Sequence, residues 1–334
     1  MEIIILTKDI IDGLKLKKVL SGLNDEFVFV DNFTKSDIIQ SGERFKNTAY
    51  IFSTWYMPEF SEDEVRFFFP GLKAIFYSAG TVKYFAEPFL KVGVKVFTSN
   101  EANAIPVAEF VTSQIVLANK GYFQAQKSYK YPFWRISFQK SRNYSLQKNG
   151  NYNAKIGIIG CGAIGSKVVK LLKQYDLDVS VYDPFLSDER IVEIGVTRSD
   201  LKEIFSKSDV ISLHLPNIPE TKGIINWELL SLMKDTATFI NTGRGEQVIE
   251  QDLARIMRRK PNACALLDVT TYEPIFPWSE LLRLSNVFIS PHIAGSLSGE
   301  YDRLVEHVLS AFYRVNDGDP SMCGISIDQL SGQA

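Results

Sequence analysis

The chain has 334 residues, 45% apolar and 23% charged, with a formal net charge of −2; this is long enough for two domains of about 150 residues, each with its own core. The near-neutral balance and the lack of a long basic run argue against nucleic acid and anionic membrane surfaces as main partners. Cys161, Cys264 and Cys323 are widely separated with no CxxC spacing, so neither a disulfide framework nor a zinc site is indicated, and no metal is expected.

At the amino end, "MEIIILTKDI" places Glu2 where a signal peptide carries positive charge, and its apolar run is too short for an h-region. No stretch approaches the roughly 18–20 apolar residues that span a bilayer, so a reduced, cytoplasmic protein without a membrane partner is expected. Strand-like runs follow at 3–6, 27–30, 49–53, 74–77 and 94–98, with helical candidates such as 9–20 and 63–69 between them. This alternation predicts a parallel sheet with helices on both faces. None of these strands leads into a glycine-rich phosphate loop. Residues 105–120 read as a long amphipathic helix with Pro106 near its first turn. An aromatic and basic stretch, 122–145, and the polar break "QKNGNYNA" come next. A second alternating unit then has strands predicted at 156–159, 179–182, 210–213, 238–241, 263–267 and 287–289, the count of a full dinucleotide-binding sheet. A last helix, 299–317, follows that sheet, and the polar carboxyl end is expected to drape over the surface.

The start of the second unit carries the clearest chemistry. After the apolar run 156–159, Gly160, Gly162 and Gly165 give G-x-G-x-x-G at the entry to a helix. The first glycine suits a tight turn, the second a close approach of backbone to a pyrophosphate, and the third close packing of helix on strand. The helix amino terminus offers unpaired N–H groups and partial positive charge to the phosphates. Asp183 stands 18 residues after Gly165 at the end of the next strand, where a carboxylate accepts from both ribose hydroxyls and repels a 2′-phosphate. No arginine follows immediately, which favours NAD over NADP. Cys161, inside the loop, reads as a small filler rather than a reactive thiol.

Four further segments stand in order: "DVISLHLPNIPETKGIIN" (209–226), "FINTGRGEQV" (239–248), "LLDVTTYEP" (266–274) and "SPHIAG" (290–295). Together with the glycine loop they resemble the D-isomer-specific 2-hydroxyacid dehydrogenase family, whose members include D-lactate dehydrogenases, glyoxylate/hydroxypyruvate reductases and phosphoglycerate dehydrogenases. The resemblance implies two α/β domains with parallel sheets of Rossmann-like and flavodoxin-like type, the cofactor domain inserted into the substrate domain. Residues 1–104 and 300–334 would then form the substrate domain, residues 105–299 the NAD-binding domain, and the active site the cleft between them. It implies a homodimer through the cofactor domain, with 122–145 as the exchanged arm.

Carried over residue by residue, the catalytic arginine falls on Arg244, the glutamate on Glu273 and the histidine on His292. A guanidinium fork can hold a 2-keto acid's carboxylate and polarise its carbonyl. An imidazole can give a proton to the carbonyl oxygen and take it back in oxidation, while the glutamate orients the ring. Cofactor contacts carried over the same way are Ile164, Pro216, Thr221, Thr242, Asp268 on the nicotinamide amide, Ala294, Gly295 and, as a weaker match, Thr112. "YSAGTVKYF" (77–85) occupies the place of the substrate loop, so the backbone N–H groups of Gly80 and Thr81 are expected to bind the substrate carboxylate opposite Arg244. His214 is expected beside the adenosine and His307 in a structural role. The chain departs from the family pattern after Gly80, where acidic residues give way to Thr81, Val82, Lys83 and Tyr84. It departs again in "STWYMP" (53–58), where Trp55 and Tyr56 either line the pocket or belong to the core. The reading is an NAD-dependent oxidoreductase on a small 2-keto or 2-hydroxy acid. An NADH-sensing binding protein on the same scaffold is the alternative, and a formate- or phosphite-type dehydrogenase the third.

Overall fold

Alternation of apolar residues along five short strands decides which face each side chain serves. In the computed structural model, which describes residues 2–7, 16, 27–31, 34–129 and 134–331, these strands are β1 Glu2–Thr7, β2 Phe27–Asp31, β3 Thr48–Ser53, β4 Ala74–Tyr77 and β5 Lys95–Thr98. They pair in parallel in the order β2-β1-β3-β4-β5, the flavodoxin-like order. Ile4, Ile51, Ile75 and Val96 point into one core layer with Phe85 and Phe89. Ile3, Tyr50, Phe52, Phe76 and Phe97 point into the other, where they meet Val305, Val308 and Phe312. The ring of Phe312 lies edge-on to Tyr50 at 5.5 Å, and to Phe52 and Phe76 at 5.4 Å. Such pairs add about 0.5–1.5 kcal/mol each beyond the area they bury. The helix Tyr301–Asn316 therefore completes the core of strands some 200 residues before it. The chain divides into two compact units on this basis, Met1–Asn103 with Ser296–Gln333, and Ala104–Gly295.

One expectation for this unit changes and one lies outside the described residues. The helical candidate 9–20 falls outside the described residues except for Leu16, which is buried. The carboxyl end does more than drape: Ile325 N donates to the Val96 carbonyl at 2.9 Å, Lys95 Nζ reaches the Met322 carbonyl at 2.9 Å, and Leu330 is buried in the core. Gly324 has φ +71°, and a Cβ there would lie 2.8 Å from the Val96 carbonyl oxygen. The segment thus runs alongside β5, the last strand of the sheet.

The second unit has seven parallel strands: β6 Tyr152–Ile159, β7 Asp176–Tyr182, β8 Thr197–Arg198, β9 Val210–Leu213, β10 Thr238–Asn241, β11 Cys264–Leu267 and β12 Val287–Ile289. Their order, β12-β11-β10-β9-β6-β7-β8, is the doubly wound arrangement with the switch point at β6. β8 was not among the six expected strands. It has two exposed residues with no apolar alternation, and pairs only Thr197 with Ser180 and Arg198 with Val181. Ile156, Ile158, Val210 and Ile240 pack on one side of the sheet, Ile159, Ile211, Leu213 and Phe239 on the other.

The linking helix runs Asn100–Asn119, beginning earlier than the expected 105, so Pro106 lies inside it rather than in its first turn. Asn103 N donates to the Ser99 carbonyl and Asn100 N to Thr98 Oγ1, which starts the helix ahead of the proline. Residues 122–145 form two helices, Tyr122–Tyr129 and Trp134–Leu146, tied by Ser137 Oγ donating to the Ser128 carbonyl at 2.8 Å. No described helix is long and apolar enough to cross a membrane.

Candidate active site

Every candidate residue of the second unit other than Thr112 lies just past the carboxyl end of a parallel strand, where this architecture binds its ligands. The glycine loop follows β6. Gly160 has φ +90°, and a Cβ there would stand 2.7 Å from the His214 carbonyl; a Cβ on Gly165 would stand 2.0 Å from the Gly160 oxygen. A Cβ on Gly162 would meet nothing within 4 Å. Two glycines thus let the chain turn and the helix close on the strand, and the third leaves space above the start of the helix Ala163–Leu172, which carries Ile164. That combination fits a pyrophosphate.

Asp183 closes β7. Its Oδ2 accepts from Cys161 N at 2.8 Å and its Oδ1 from Phe185 N at 2.9 Å, so the carboxylate ties the glycine loop to the strand end. Beside it is a cavity of about 320 Å³ lined by Asp183, Asp200 and Glu203 as well as Arg198. No arginine follows Asp183 in sequence, yet the fold brings Arg198 in from β8. Its guanidinium is committed to the Asp183 and Leu186 carbonyls and, at 2.9 Å, to Asp188. Burial pushes the Cys161 thiol up to about 11, which keeps it protonated.

After β9, Thr221 Oγ1 donates to the Pro216 carbonyl at 2.6 Å, which folds the 214–221 loop on itself. His214 is 9% exposed, with Nε2 2.9 Å from Ser212 Oγ. Burial pushes its pKa down to about 3, so the ring is neutral. Its Nδ1 and the hydroxyls of Thr112 and Thr242 are among the buried polar atoms that have no partner among the described residues. Leaving such an atom unpaired costs about 1–3 kcal/mol, and the amides, hydroxyls and phosphates of a dinucleotide are the groups that would satisfy them. The residues present therefore fit NAD.

Arg244 follows β10. Its side chain is half-buried, and Nη1 donates to the Gly243 carbonyl at 2.8 Å. Burial pushes the guanidinium below its ordinary value, and the nearby Glu273 carboxylate opposes that shift. Sequence reasoning missed the residues that build this turn. Gln247, fully buried, accepts from Arg244 N at 3.2 Å and donates to the Leu215 and Pro216 carbonyls at 2.8 and 2.9 Å. Gly245 is required because a Cβ would fall 2.0 Å from the Thr270 carbonyl carbon, and it lets the arginine turn press against the loop that carries Glu273. The only hint in the sequence was a glutamine three residues after the arginine, a capping-box spacing.

Glu273 and His292 meet directly. Glu273 Oε2 accepts from His292 Nδ1 at 2.7 Å, and Oε1 accepts from Thr270 N at 3.3 Å. The two side chains are 41% and 47% exposed, and His292 Nε2 has no partner among the described residues. His292 sits at φ +53°, a conformation that favours glycine. Asp268 holds it there. That aspartate is 2% exposed and accepts from Ser290 Oγ at 2.5 Å, Ile293 N at 3.0 Å and Ala294 N at 2.8 Å, while its own carbonyl accepts from His292 N at 2.9 Å. The carboxylate expected on the nicotinamide amide is thus already wrapped by the histidine loop. Gly295 ends that loop, half-buried.

Gly80 and Thr81 belong to the first unit, after β4. Thr98 Oγ1 donates to the Ala79 and Gly80 carbonyls, and the backbone N–H groups of Gly80 and Thr81 donate to nothing among the described residues. Trp55 packs against the core and edge-on to Tyr301 at 5.3 Å, whereas Tyr56 is 65% exposed with φ +70°. Tyr77 and Tyr84 share a 3.2 Å hydroxyl contact, and Lys83 is exposed. His307 lies in the helix Tyr301–Asn316. Among the described residues no group of three His, Cys, Asp or Glu side chains could hold a metal ion.

The family model described as D-isomer specific 2-hydroxyacid dehydrogenase, NAD binding domain, matches residues 113–294. A D-3-phosphoglycerate dehydrogenase of Synechocystis sp. is 33% identical over 239 residues, 72% of this chain and 42% of that protein. The chain spans about half the length of the curated relatives it matches first. A D-isomer specific 2-hydroxyacid dehydrogenase from Lactobacillus delbrueckii ssp. bulgaricus, solved in its NAD-complexed form, superimposes with a TM-score of 0.79 at 21% identity, covering 97% of this chain and 100% of that one. An acyclic imino acid reductase (Bsp5) in complex with NADPH and D-Arg superimposes with a TM-score of 0.74 at 21% identity, covering 97% and 100%. At these identities the superpositions establish the fold alone.

Proposed function

The chain belongs to the D-isomer-specific 2-hydroxyacid dehydrogenase family, and from that premise we propose that it interconverts a small 2-keto acid and its D-2-hydroxy acid with NAD. The observation that carries the reading is the 2.7 Å pairing of His292 Nδ1 with the Glu273 carboxylate, which leaves Nε2 as the nitrogen that can exchange a proton with substrate. NAD, when bound, supplies or takes up the hydride. The remaining work falls to the chain. His292 gives a proton to the carbonyl oxygen in reduction and takes it back in oxidation, and Glu273 fixes the plane of the ring. Arg244 holds the substrate carboxylate and polarises the carbonyl with a planar fork already dehydrated by burial. The unpaired N–H groups of Gly80 and Thr81 suit a carboxylate as well.

Gly160, Gly162, Ile164, Gly165, Asp183, Pro216, Thr221, Thr242, Asp268, Ala294, Gly295 and Thr112 are the proposed cofactor residues. Three carboxylates around the cavity at Asp183 and an Arg198 spent on its own neighbours support NADH over NADPH. A homodimer through the second unit is proposed from the exposed apolar side chains of the 122–146 helices: Tyr129, Ile136, Phe138 and Leu146 are each at least half exposed. Scattering-coupled gel filtration tests it.

The deciding experiment offers the purified protein NADH or NADPH with glyoxylate, hydroxypyruvate, pyruvate and bulkier sugar-derived keto acids. Oxidation of NADH with at least one acid, and a clear preference over NADPH, is expected. Tight NADH binding with no turnover on any acid would return the chain to the sensing-protein reading.

A further inference from the structure

One cavity of the second unit is lined by none of the residues placed in the site above. It measures about 560 Å³ and lies between the helix Glu250–Arg259 and the loop 272–281 of the second unit. One wall is a run of aromatic rings. Tyr272 and Phe276 are 4.6 Å apart between centroids, and Phe276 and Trp278 are 4.9 Å apart with only 8° between their planes. Despite this mutual stacking the rings remain 59%, 39% and 68% exposed. Aromatic side chains are normally the groups that folding takes out of water first, so three of them lining one concavity is an arrangement that a bound ring would complete.

The opposite wall supplies charge. Arg255 and Arg258 are three residues apart on one helix and so share a face. Arg258 pairs with Glu280 at 3.1 Å. Arg255 is different: its guanidinium lies 5.3 Å over the Trp227 ring and 3.9 Å from Asp252, beyond hydrogen-bonding distance, and donates to nothing among the described residues. The cavity's other carboxylate, Glu250, is spent on the Thr271 N–H at 2.6 Å. The cavity thus holds a stacked Phe276–Trp278 pair together with a guanidinium, Arg255, whose hydrogen-bond donors are unused among the described residues. A volume of this size lies within the range of about 300–1,000 Å³ that accommodates small ligands.

We propose that this cavity is a second ligand site, for a planar aromatic carboxylate whose ring stacks on Trp278 and whose carboxylate bonds Arg255. It shares no residue with the glycine loop or with the Arg244, Glu273 and His292 set.

Calorimetric titration of the full chain with 2-naphthoate tests the assignment, using 2-naphthamide and cyclohexanecarboxylate as neutral and non-aromatic comparators. Saturable binding of one 2-naphthoate per chain is expected, with each comparator weaker by about tenfold or more. Trp278→Ala and Arg255→Met change exposed side chains and should fold. Both should weaken 2-naphthoate by about tenfold and leave NADH binding as in the parent, while Arg255→Met should leave 2-naphthamide unaffected. No saturable binding, equal binding of the neutral amide, displacement by NADH, or unchanged binding in Trp278→Ala would each overturn the proposal. So would loss of self-association in Trp278→Ala, which would give the rings to a second copy of the chain.

Discussion

Two histidines stand past strand ends of the same sheet in opposite surroundings. His214 follows β9, is nearly sealed from solvent, touches only a serine hydroxyl through Nε2, and is held neutral by burial, with its pKa pushed down to about 3. His292 follows β12, is half exposed, and has a carboxylate on one nitrogen with the other left open. On the proposed reading, the difference is what separates a proton-carrying imidazole from a structural one. The carrier needs a counter-charge to steady it and a route to the reacting atom. A buried neutral ring offers instead a fixed dipole, useful for holding a neighbour and useless for moving a proton.

The sharpest way to break that contrast is His292→Ala. Keto-acid reduction should fall by on the order of 10²–10⁴, the usual contribution of a positioned acid–base group, with NADH affinity retained. A loss as large in His214→Gln, measured as kcat/KM on the same acid, would show that the two rings had been assigned the wrong way round. Arg244→Lys comes next: the charge stays but the bidentate fork is lost, and turnover should drop about a hundredfold with NADH binding nearly unchanged. Glu273→Gln keeps the 2.7 Å contact in shape and removes its charge. A fall of about tenfold or somewhat more in kcat, with KM little moved, is expected from steady-state kinetics; no change would mean the carboxylate does not support the ring.

The smallest effect concerns stability, and here the buried histidine should matter. In the folded protein His214 binds its proton only near pH 3, whereas the unfolded chain binds it near the ordinary 6.5. Between those values the unfolded state takes up more protons, so the neutral ring's stabilisation is complete above pH 6.5 and is lost as pH falls toward 3. The parent should lose up to about 1.4 kcal/mol per pH unit from this group across that window. His214→Gln should show a flatter decline in urea-unfolding free energy from pH 7 to 5; parallel declines would remove His214 as an acid-sensitive element.

The sheets and the glycine loop could be read from sequence, and the residues proposed for the chemistry, Arg244, Glu273 and His292, singled out there, because each leaves a local mark. Apolar runs such as "KIGIIG" signal doubly covered strands, and Gly160, Gly162 and Gly165 occupy places where a side chain collides or where space must be kept. The supports left no such mark. Gln247, Gly245 and Ser290 act by contacts with residues 22 or more positions away, and only the fold reveals them. Asp268 was assigned to the cofactor, and its grip on Ser290, Ile293 and Ala294 was invisible because two of the three donors are backbone. Arg198 escaped notice for the same reason: β8 is too short and polar to announce itself, yet it delivers the guanidinium to Asp183.

The carboxyl segment against β5 carries a consequence for how the protein is made. Lys95 and its partner Met322 are 227 residues apart, and at roughly 5–20 residues per second a ribosome needs about 10–45 s to travel between them. During that interval the first five strands lack both the helix that covers one face and the strap along β5, leaving an open edge with unpaired N–H and C=O groups in a crowded compartment. The second unit, whose strands are contiguous in the chain, is complete before the first can close. Released chains ending at residue 299 should therefore show a protease-resistant core from 104 onward and a sensitive amino-terminal segment.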